Sequence, residues 1–101
     1  MEDQMFVFIW DPDKNDINYK KHKISFDEAS SVFYDDKAVL FDDPDHSDNE
    51  ERFLIIGMSS KANLLLVYHC YRKKGKIIRI ISARKATKAE EKDYIDFQKG
   101  W

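Results

Sequence analysis

The sequence predicts an α+β domain in which two N-terminal helices and one C-terminal helix pack against an antiparallel sheet of about four strands. Helix-capping patterns occur near both ends of the chain, and short apolar segments typical of strands lie between them. No linker rich in glycine, serine or proline divides the 101 residues. This length suits one domain, so residues 1–101 are expected to fold as a single unit with helices on one sheet face.

The first half begins with a strand and continues into two helices. Met5–Trp10 is apolar enough for a strand, which ends at Asp11–Pro12, where aspartate can cap a helix and proline suits its first turn. That helix is expected to run to about His22. Ser25 and Glu28 have the spacing of a capping box and predict the start of the second helix.

The second half predicts a meander of strands followed by a helix. A turn at Lys73–Gly75 joins the last two strands as a hairpin, and Thr87 with Glu90 repeats the capping-box spacing before the final helix. The expected strands are Ala38–Asp42, Arg52–Met58, Leu64–Arg72 and Lys76–Ser82.

Charge is divided unevenly along the chain. Residues 1–60 contain six Lys or Arg against fifteen Asp or Glu, whereas residues 61–101 contain eleven against four. The interval Lys61–Ala89 contains nine basic residues and no acidic one. Such a block predicts an electropositive surface that attracts phosphate, although a solvated basic face without a ligand is the simpler alternative.

The chain shows no sign of secretion. Its N-terminus, MEDQMFVFIWDPDK, has neither the pattern of a signal peptide nor the length of a membrane span. Cys70 is the only cysteine, which rules out an internal disulfide. We therefore expect a cytoplasmic protein without membrane association.

Several classes of site lack their sequence signals. The three glycines stand apart at 57, 75 and 100, so no glycine-rich phosphate loop exists. His22, His46, His69 and Cys70 do not have zinc-ligand spacing. The loop from Asp43 begins like a calcium loop but has Asp48 and Leu54 where glycine and glutamate are needed. No metal and no cofactor are expected.

The remaining polar groups suit RNA cleavage without a metal. In that reaction a base removes the ribose 2′-OH proton, cations stabilise the phosphorane, and an acid protonates the leaving 5′-oxygen. Histidine, glutamate and arginine can supply these roles near neutral pH. The candidates are Lys21 and His22 at a helix end, Glu50, Glu51 and Arg52 at a strand start, and Arg72, Arg79 and Arg84 along the last hairpin.

Each candidate also has a structural explanation. His22 can complement the dipole of its helix or contact Asn18 one turn earlier. Arg79 shares a strand face with Ile77 and Ile81, where it would be partly buried and could pair with Glu51. The residue spacing leaves both explanations open.

Three segments resemble the BrnT family of type II toxin–antitoxin toxins, in the same order and with similar gaps. They are WDPDKNDINYKKHKISFDEASSVF, FDDPDHSDNEERFLIIGMSS and RIISARKATKAEEKDY. The resemblance extends from Phe8 to Tyr94. Its most specific portions are Trp10–Pro12 with Asn18 and Lys21–His22, the segment from Asp45 to Arg52, and Arg79–Arg84.

The resemblance implies a compact RelE-like ribonuclease fold and a toxin that blocks translation by cutting RNA. It also implies a BrnA-like ribbon-helix-helix antitoxin as partner, which would read promoter DNA on behalf of a complex that could contain a toxin dimer. His22 or Glu51 would transfer protons, while Arg52 and Arg79 would complete the catalytic set. The implied substrate-binding residues are Lys21, Arg72 and Arg84.

Two hypotheses follow from these observations. The first is an endoribonuclease toxin that an antitoxin inactivates by covering its basic sheet face. The second is a non-catalytic module that uses the same face to bind an acidic partner or nucleic acid without cutting it.

Overall fold

The computed structural model describes residues 6–43 and 51–99. The chain begins with a short strand and two helices, continues through four strands and ends with a helix. The elements are β1 (Val7–Ile9), α1 (Pro12–His22), α2 (Phe26–Ser31), a 3₁₀ turn (Val32–Tyr34), β2 (Val39–Asp42), β3 (Phe53–Met58), β4 (Leu64–Arg72), β5 (Ile77–Lys85) and α3 (Lys88–Gln98). No helix among the described residues has the length and apolar character needed to span a bilayer.

The sheet has five strands in the order β1-β5-β4-β3-β2. All neighbours are antiparallel except β1 and β5, which run parallel with Val7 opposite Ile77 and Ile9 opposite Arg79. The predicted α+β class is confirmed, but the prediction of about four antiparallel strands is wrong in strand number and in one pairing. Alternation within a strand reveals its faces and not its partner, so β1 gave no signal that it joins the last strand.

The helix boundaries follow the predicted caps. Asp11 accepts a hydrogen bond from the Asp13 amide, Ser25 from the Glu28 amide, and Thr87 forms a complete capping box with Glu90. The second helix is shorter than a typical helix, because α2 ends at Ser31 and its last turn tightens into 3₁₀ geometry.

The main core lies between the N-terminal helices and one face of the sheet. It is formed by buried residues from α2 and its flanks together with inward-facing residues of the three central strands: Ile24, Phe26, Ala29, Val32, Ile55, Leu65, Val67, Ile78, Ile80 and Ala83. Helices were expected on one sheet face, but α3 lies on the opposite face, beside Leu54, Ile56 and Leu66, which alternate with the core residues.

Helix α3 is attached mainly by polar and edge contacts. None of its residues, all of which the structure describes, is fully buried. The Tyr94 hydroxyl donates to Asp35 Oδ2 at 2.7 Å, and Phe97 stacks on Phe41 with ring centroids 6.0 Å apart. Burial and the bond to Asp35 raise the pKa of Tyr94 to about 12. Partial burial alone would raise the pKa of Asp35, but its bonds from Met58, Lys37 and Tyr94 hold it below the ordinary value.

A bulge and an asparagine shape the outer edge of β5. Tyr68 lies opposite Ser82 and His69 opposite Ile80, so Ile81 is the extra residue in β5. Beyond Arg79, β1 no longer pairs with β5, and α1 lies beside that edge. The Asn18 amide accepts from the Ala83 N–H at 3.1 Å and donates to the Ala83 carbonyl at 2.8 Å and the Ile24 carbonyl at 2.9 Å. One side chain thus replaces a missing strand partner.

His69 lies in an aromatic cluster on the core side of the sheet. Its side chain is fully buried, and its ring packs edge-on against Phe33 and Tyr71. Nδ1 lies 3.2 Å from the Val67 carbonyl and Nε2 lies 3.1 Å from the Tyr71 hydroxyl. Burial lowers the pKa of His69 to about 4, against the smaller raising effect of the Val67 bond.

We predict that Asn18→Ala destabilises the fold because it leaves the buried Ala83 backbone groups without partners. The free energy of unfolding should fall by about 2–4 kcal/mol. Urea unfolding followed by circular dichroism measures this change, with exposed Lys20→Ala as the control that should remain near wild type. Equal stability of the two variants would show that the Asn18 bonds are dispensable.

We predict that His69 makes folding sensitive to mild acid. The imidazole has a pKa near 6.5 when unfolded and about 4 when folded, so its contribution is complete above pH 6.5 and is lost as pH falls towards 4. The wild type should lose up to about 3 kcal/mol of unfolding free energy from this group over that range.

The measurement compares urea unfolding of the wild type and His69→Phe across that pH range. The change in unfolding free energy with pH is measured within each protein. Any pH-independent effect of the substitution on packing therefore cancels. The two proteins share all carboxylates, so the difference between their slopes isolates His69. Parallel pH profiles would contradict the assignment.

Candidate functional site

A groove lies between α1 and the outer edge of β5, just past the end of β1. Its volume is about 340 Å³, close to the low end of small-ligand sites. Its described lining consists of basic side chains, two isoleucines and two small polar residues: Lys14, Ile17, Asn18, Lys21, His22, Ile81 and Ser82.

The helical repeat explains why these α1 residues share the groove. Counting from Lys14, the other α1 lining residues lie three, four, seven and eight positions later, which places all of them on one helix face. Asn18 fixes that face against β5. The helix then ends at His22 because Lys23 turns to the left-handed region, with φ of 62°, and donates to the Tyr19 carbonyl.

The groove is electropositive. Lys14, Lys21 and His22 line it, and no carboxylate is among its described lining residues. Within the described residues, neither lysine forms an ion pair, and His22 makes no side-chain hydrogen bond. These groups are available to an anionic ligand, and His22 adds an imidazole, the side chain that most often serves as a general acid or base.

Glu51 and Arg52 lie elsewhere. Together with Asp42 and Phe53 they line a separate hollow of about 80 Å³ at the start of β3. In the strand order, β4 lies between β3 and β5, so β3 is roughly 10 Å from β5 at ordinary strand spacing. His22 therefore lines the same groove as Lys21, and Glu51 lines the same hollow as Arg52. The two pairs lie in different places.

Arg79 lies in the middle of β5, on the side of the sheet opposite the core residues Ile78 and Ile80. Its strand neighbours across the sheet are Ile9 and Cys70, and it is partly buried. The alternative that Arg79 pairs with Glu51 is not seen, because no ion pair joins these two described residues. Arg79 precedes the groove residue Ile81 by two positions without lining the groove itself.

The remaining arginines occupy opposite ends of the last hairpin. Arg72 is exposed at the end of β4, beside a turn in which Lys73, Lys74 and Gly75 all have positive φ. Arg84 contacts α3, where its guanidinium donates two hydrogen bonds to Glu90 at 2.8 and 2.9 Å. These bonds raise the pKa of Arg84 and lower that of Glu90.

Comparison with known proteins now adds to this geometry. Residues 10–90 match the family model described as "Ribonuclease toxin, BrnT, of type II toxin-antitoxin system". The chain belongs to the BrnT family. The resemblance inferred from the three sequence segments is thereby confirmed.

A solved BrnT structure supports the fold. The 1.1 Å crystal structure of the Brucella abortus ribonuclease toxin BrnT superposes with a TM-score of 0.62 at 23% sequence identity. The match covers 83% of this chain and 100% of the Brucella chain. A comparison with curated proteins gives no match.

Sequence reasoning found part of the groove between α1 and β5 and missed the rest. It identified Lys21 and His22 but omitted Lys14, Ile17, Ile81 and Ser82. The helical spacing from His22 back to Lys14 was a usable signal. The contribution of β5 to the groove lining could not be predicted from the sequence, because it depends on a bulge and on where β1 ends.

Two sequence patterns concern metal binding: the scattered histidines and the calcium-like loop that begins at Asp43. His69 is packed within the aromatic cluster on the core side of the sheet. No group of three or more His, Cys, Asp or Glu side chains suited to a metal ion occurs in the described ranges 6–43 and 51–99. Residues 44–50, which include His46, Glu50 and most of the calcium-like loop, lie outside the described residues.

We predict that Arg84 and Glu90 act as one unit that docks α3. Single and double alanine substitutions should give a coupling energy of about 1 kcal/mol in urea unfolding, since the pair is bidentate but still partly exposed. If Arg84 instead acts mainly on RNA, Arg84→Ala will lower RNA affinity while Glu90→Ala leaves it intact. A coupling energy near zero would remove the docking role.

Proposed function

We propose that this chain is an endoribonuclease toxin that inhibits translation and growth by cleaving RNA. The observation that carries the proposal is the groove in which His22 and Lys21 stand side by side on a chain of the BrnT family. The groove combines an imidazole, which can serve as a general acid or base, with cations that attract phosphate. These are the requirements of RNA cleavage without a metal ion.

In the proposed reaction, the ribose 2′-oxygen attacks the adjacent phosphorus. A base removes the 2′-OH proton, the new P–O2′ bond forms, and the P–O5′ bond breaks. The products are a 2′,3′-cyclic phosphate and a 5′-hydroxyl, which receives a proton from an acid. His22 takes part in this proton transfer, while Lys21 stabilises the charge on the phosphorane.

The other predicted residues are assigned supporting positions. Glu51 is the alternative candidate for proton transfer, and it would act on a phosphate bound in the separate hollow beside Phe53 instead of in the groove. Arg52 in that hollow and Arg79 on β5 supply further positive charge to the phosphates. Arg72 contributes from the exposed end of β4, and Arg84 acts together with Glu90.

A toxin of a type II system has an antitoxin as its partner. We propose a BrnA-like ribbon-helix-helix protein that neutralises the toxin and reads promoter DNA for a complex in which the toxin is dimeric. RNA and the translation machinery then place the chain in the cytoplasm. An adjacent gene encoding a small ribbon-helix-helix protein would support this partner, and co-purification of the two products tests it.

We predict that His22→Ala lowers RNA cleavage by about 100-fold or more, the usual contribution of a general acid or base. Lys21→Ala should lower it by a smaller factor because neighbouring cations remain. The assay uses antitoxin-free protein, RNA with and without ribosomes, and EDTA in the buffer. Growth arrest on induction in cells provides a second readout.

Lys20→Ala is the matched control, since Lys20 is exposed on the same helix and does not line the groove. It should cleave RNA like the wild type, and circular dichroism should show all three variants folded. If the purified wild type binds RNA but leaves it whole under every condition, the chain is a binding module. Equal cleavage by His22→Ala and wild type would move the reaction away from the groove.

A further inference from the structure

We infer that the α1–β5 groove binds single-stranded RNA, with Lys14 and Lys21 contacting two phosphates of one strand and an unstacked base lying on Ile17 and Ile81. This inference rests on the proposed function and specifies the form of its substrate. It also adds Lys14 as a binding residue. Three features of the groove lead to it.

The first feature is the spacing of the two lysines. Lys14 and Lys21 are seven residues apart on α1, which separates them by about 10.5 Å along the helix axis while keeping them on one face. Neither forms an ion pair within the described part of the chain. Their flexible stems allow the two ammonium groups to reach separate phosphates on either side of the groove.

The second feature is the apolar surface between the lysines. Ile17 lies between them on the same helix face and is 63% exposed, and Ile81 faces it from the bulge in β5. A nucleobase laid on these side chains would remove apolar surface from water. Because bases in an RNA duplex are stacked and paired, only a single-stranded segment can present one in this way.

The third feature is the shortage of free hydrogen-bonding groups in the groove wall. The Asn18 amide already makes three hydrogen bonds to the backbone, which use both of its N–H donors and one acceptor site of its oxygen. The Ser82 hydroxyl makes no hydrogen bond to the described residues and is the neutral polar group still available there. The groove therefore holds a base by contact and charge, with Ser82 as its candidate for reading a base edge or ribose.

The experiment measures binding of a short mixed-sequence 2′-O-methyl RNA, which cannot undergo transesterification, as a function of salt concentration. The wild type should bind the single strand more tightly than its duplex. Lys14→Ala should weaken binding and reduce the slope of log K against log salt by about 0.7, the value for one phosphate contact on a single strand. Lys20→Ala should keep the wild-type slope.

Ile17→Ser provides an independent arm. It should weaken single-strand binding several-fold and leave the salt slope unchanged, because it removes apolar contact and no charge. In cleavage assays, Lys14→Ala should raise KM with little change in kcat, as expected for a residue that binds without joining the proton transfer.

The outcomes separate this inference from the proposed function. An unchanged salt slope in Lys14→Ala, or equal affinity of the wild type for single strand and duplex, would overturn the inference even if the protein cleaves RNA. A wild type that neither binds nor cleaves RNA would overturn the proposed function as well. Binding that follows the expected pattern without cleavage would support the groove and leave only the catalytic proposal contradicted.

Discussion

The fold depends on how the outer edge of β5 is completed. Strand β1 covers this edge only as far as Arg79, and the bulge at Ile81 interrupts the regular pairing of β5 with β4 on its other side. The Asn18 amide satisfies both backbone groups of Ala83 and also holds the chain at Ile24, where α1 turns towards α2. Without this bridge, the buried backbone groups of Ala83 would lack partners, and α1 would lose one of its attachments to the sheet. The groove exists because a side chain, and not another strand, closes the edge.

Much of the fold could be predicted because its signals are local. The start of α1 at Pro12, the capping box at Thr87 and Glu90, and the turn at Lys73–Gly75 depend on residues close together in the sequence. The parallel pairing of β1 with β5 joins segments about 70 residues apart. The alternation of apolar and polar residues along a strand carries no information about which strand it pairs with. It also does not predict the bulge at Ile81.

The candidate site was harder to predict than the fold. The run of basic residues from Lys61 to Ala89 appeared to be the phosphate-attracting surface, yet the groove takes Lys14, Lys21 and His22 from the acidic half of the chain. Folding distributes the basic run among the hairpin turn, the sheet and the start of α3, where Glu90 engages Arg84. A run of basic residues in the sequence therefore need not form one basic surface. Successive side chains of a strand point to opposite faces of the sheet, and the two ends of a strand lie far apart.

Helix α3 is only partly buried against the sheet, and this affects the dynamics of the domain. The helix is held by a hydroxyl–carboxylate bond at Tyr94, a stacked ring at Phe97 and the guanidinium pair at its first turn, with no fully buried side chain of its own. Contacts of this kind can open without disturbing the core between α2 and the sheet. We therefore expect the last helix to open as a separate unit, so that its backbone amides exchange with solvent through excursions smaller than global unfolding. Each such excursion would widen the hollow between α3 and the strip of sheet formed by Leu54, Ile56 and Leu66, and would expose that strip further.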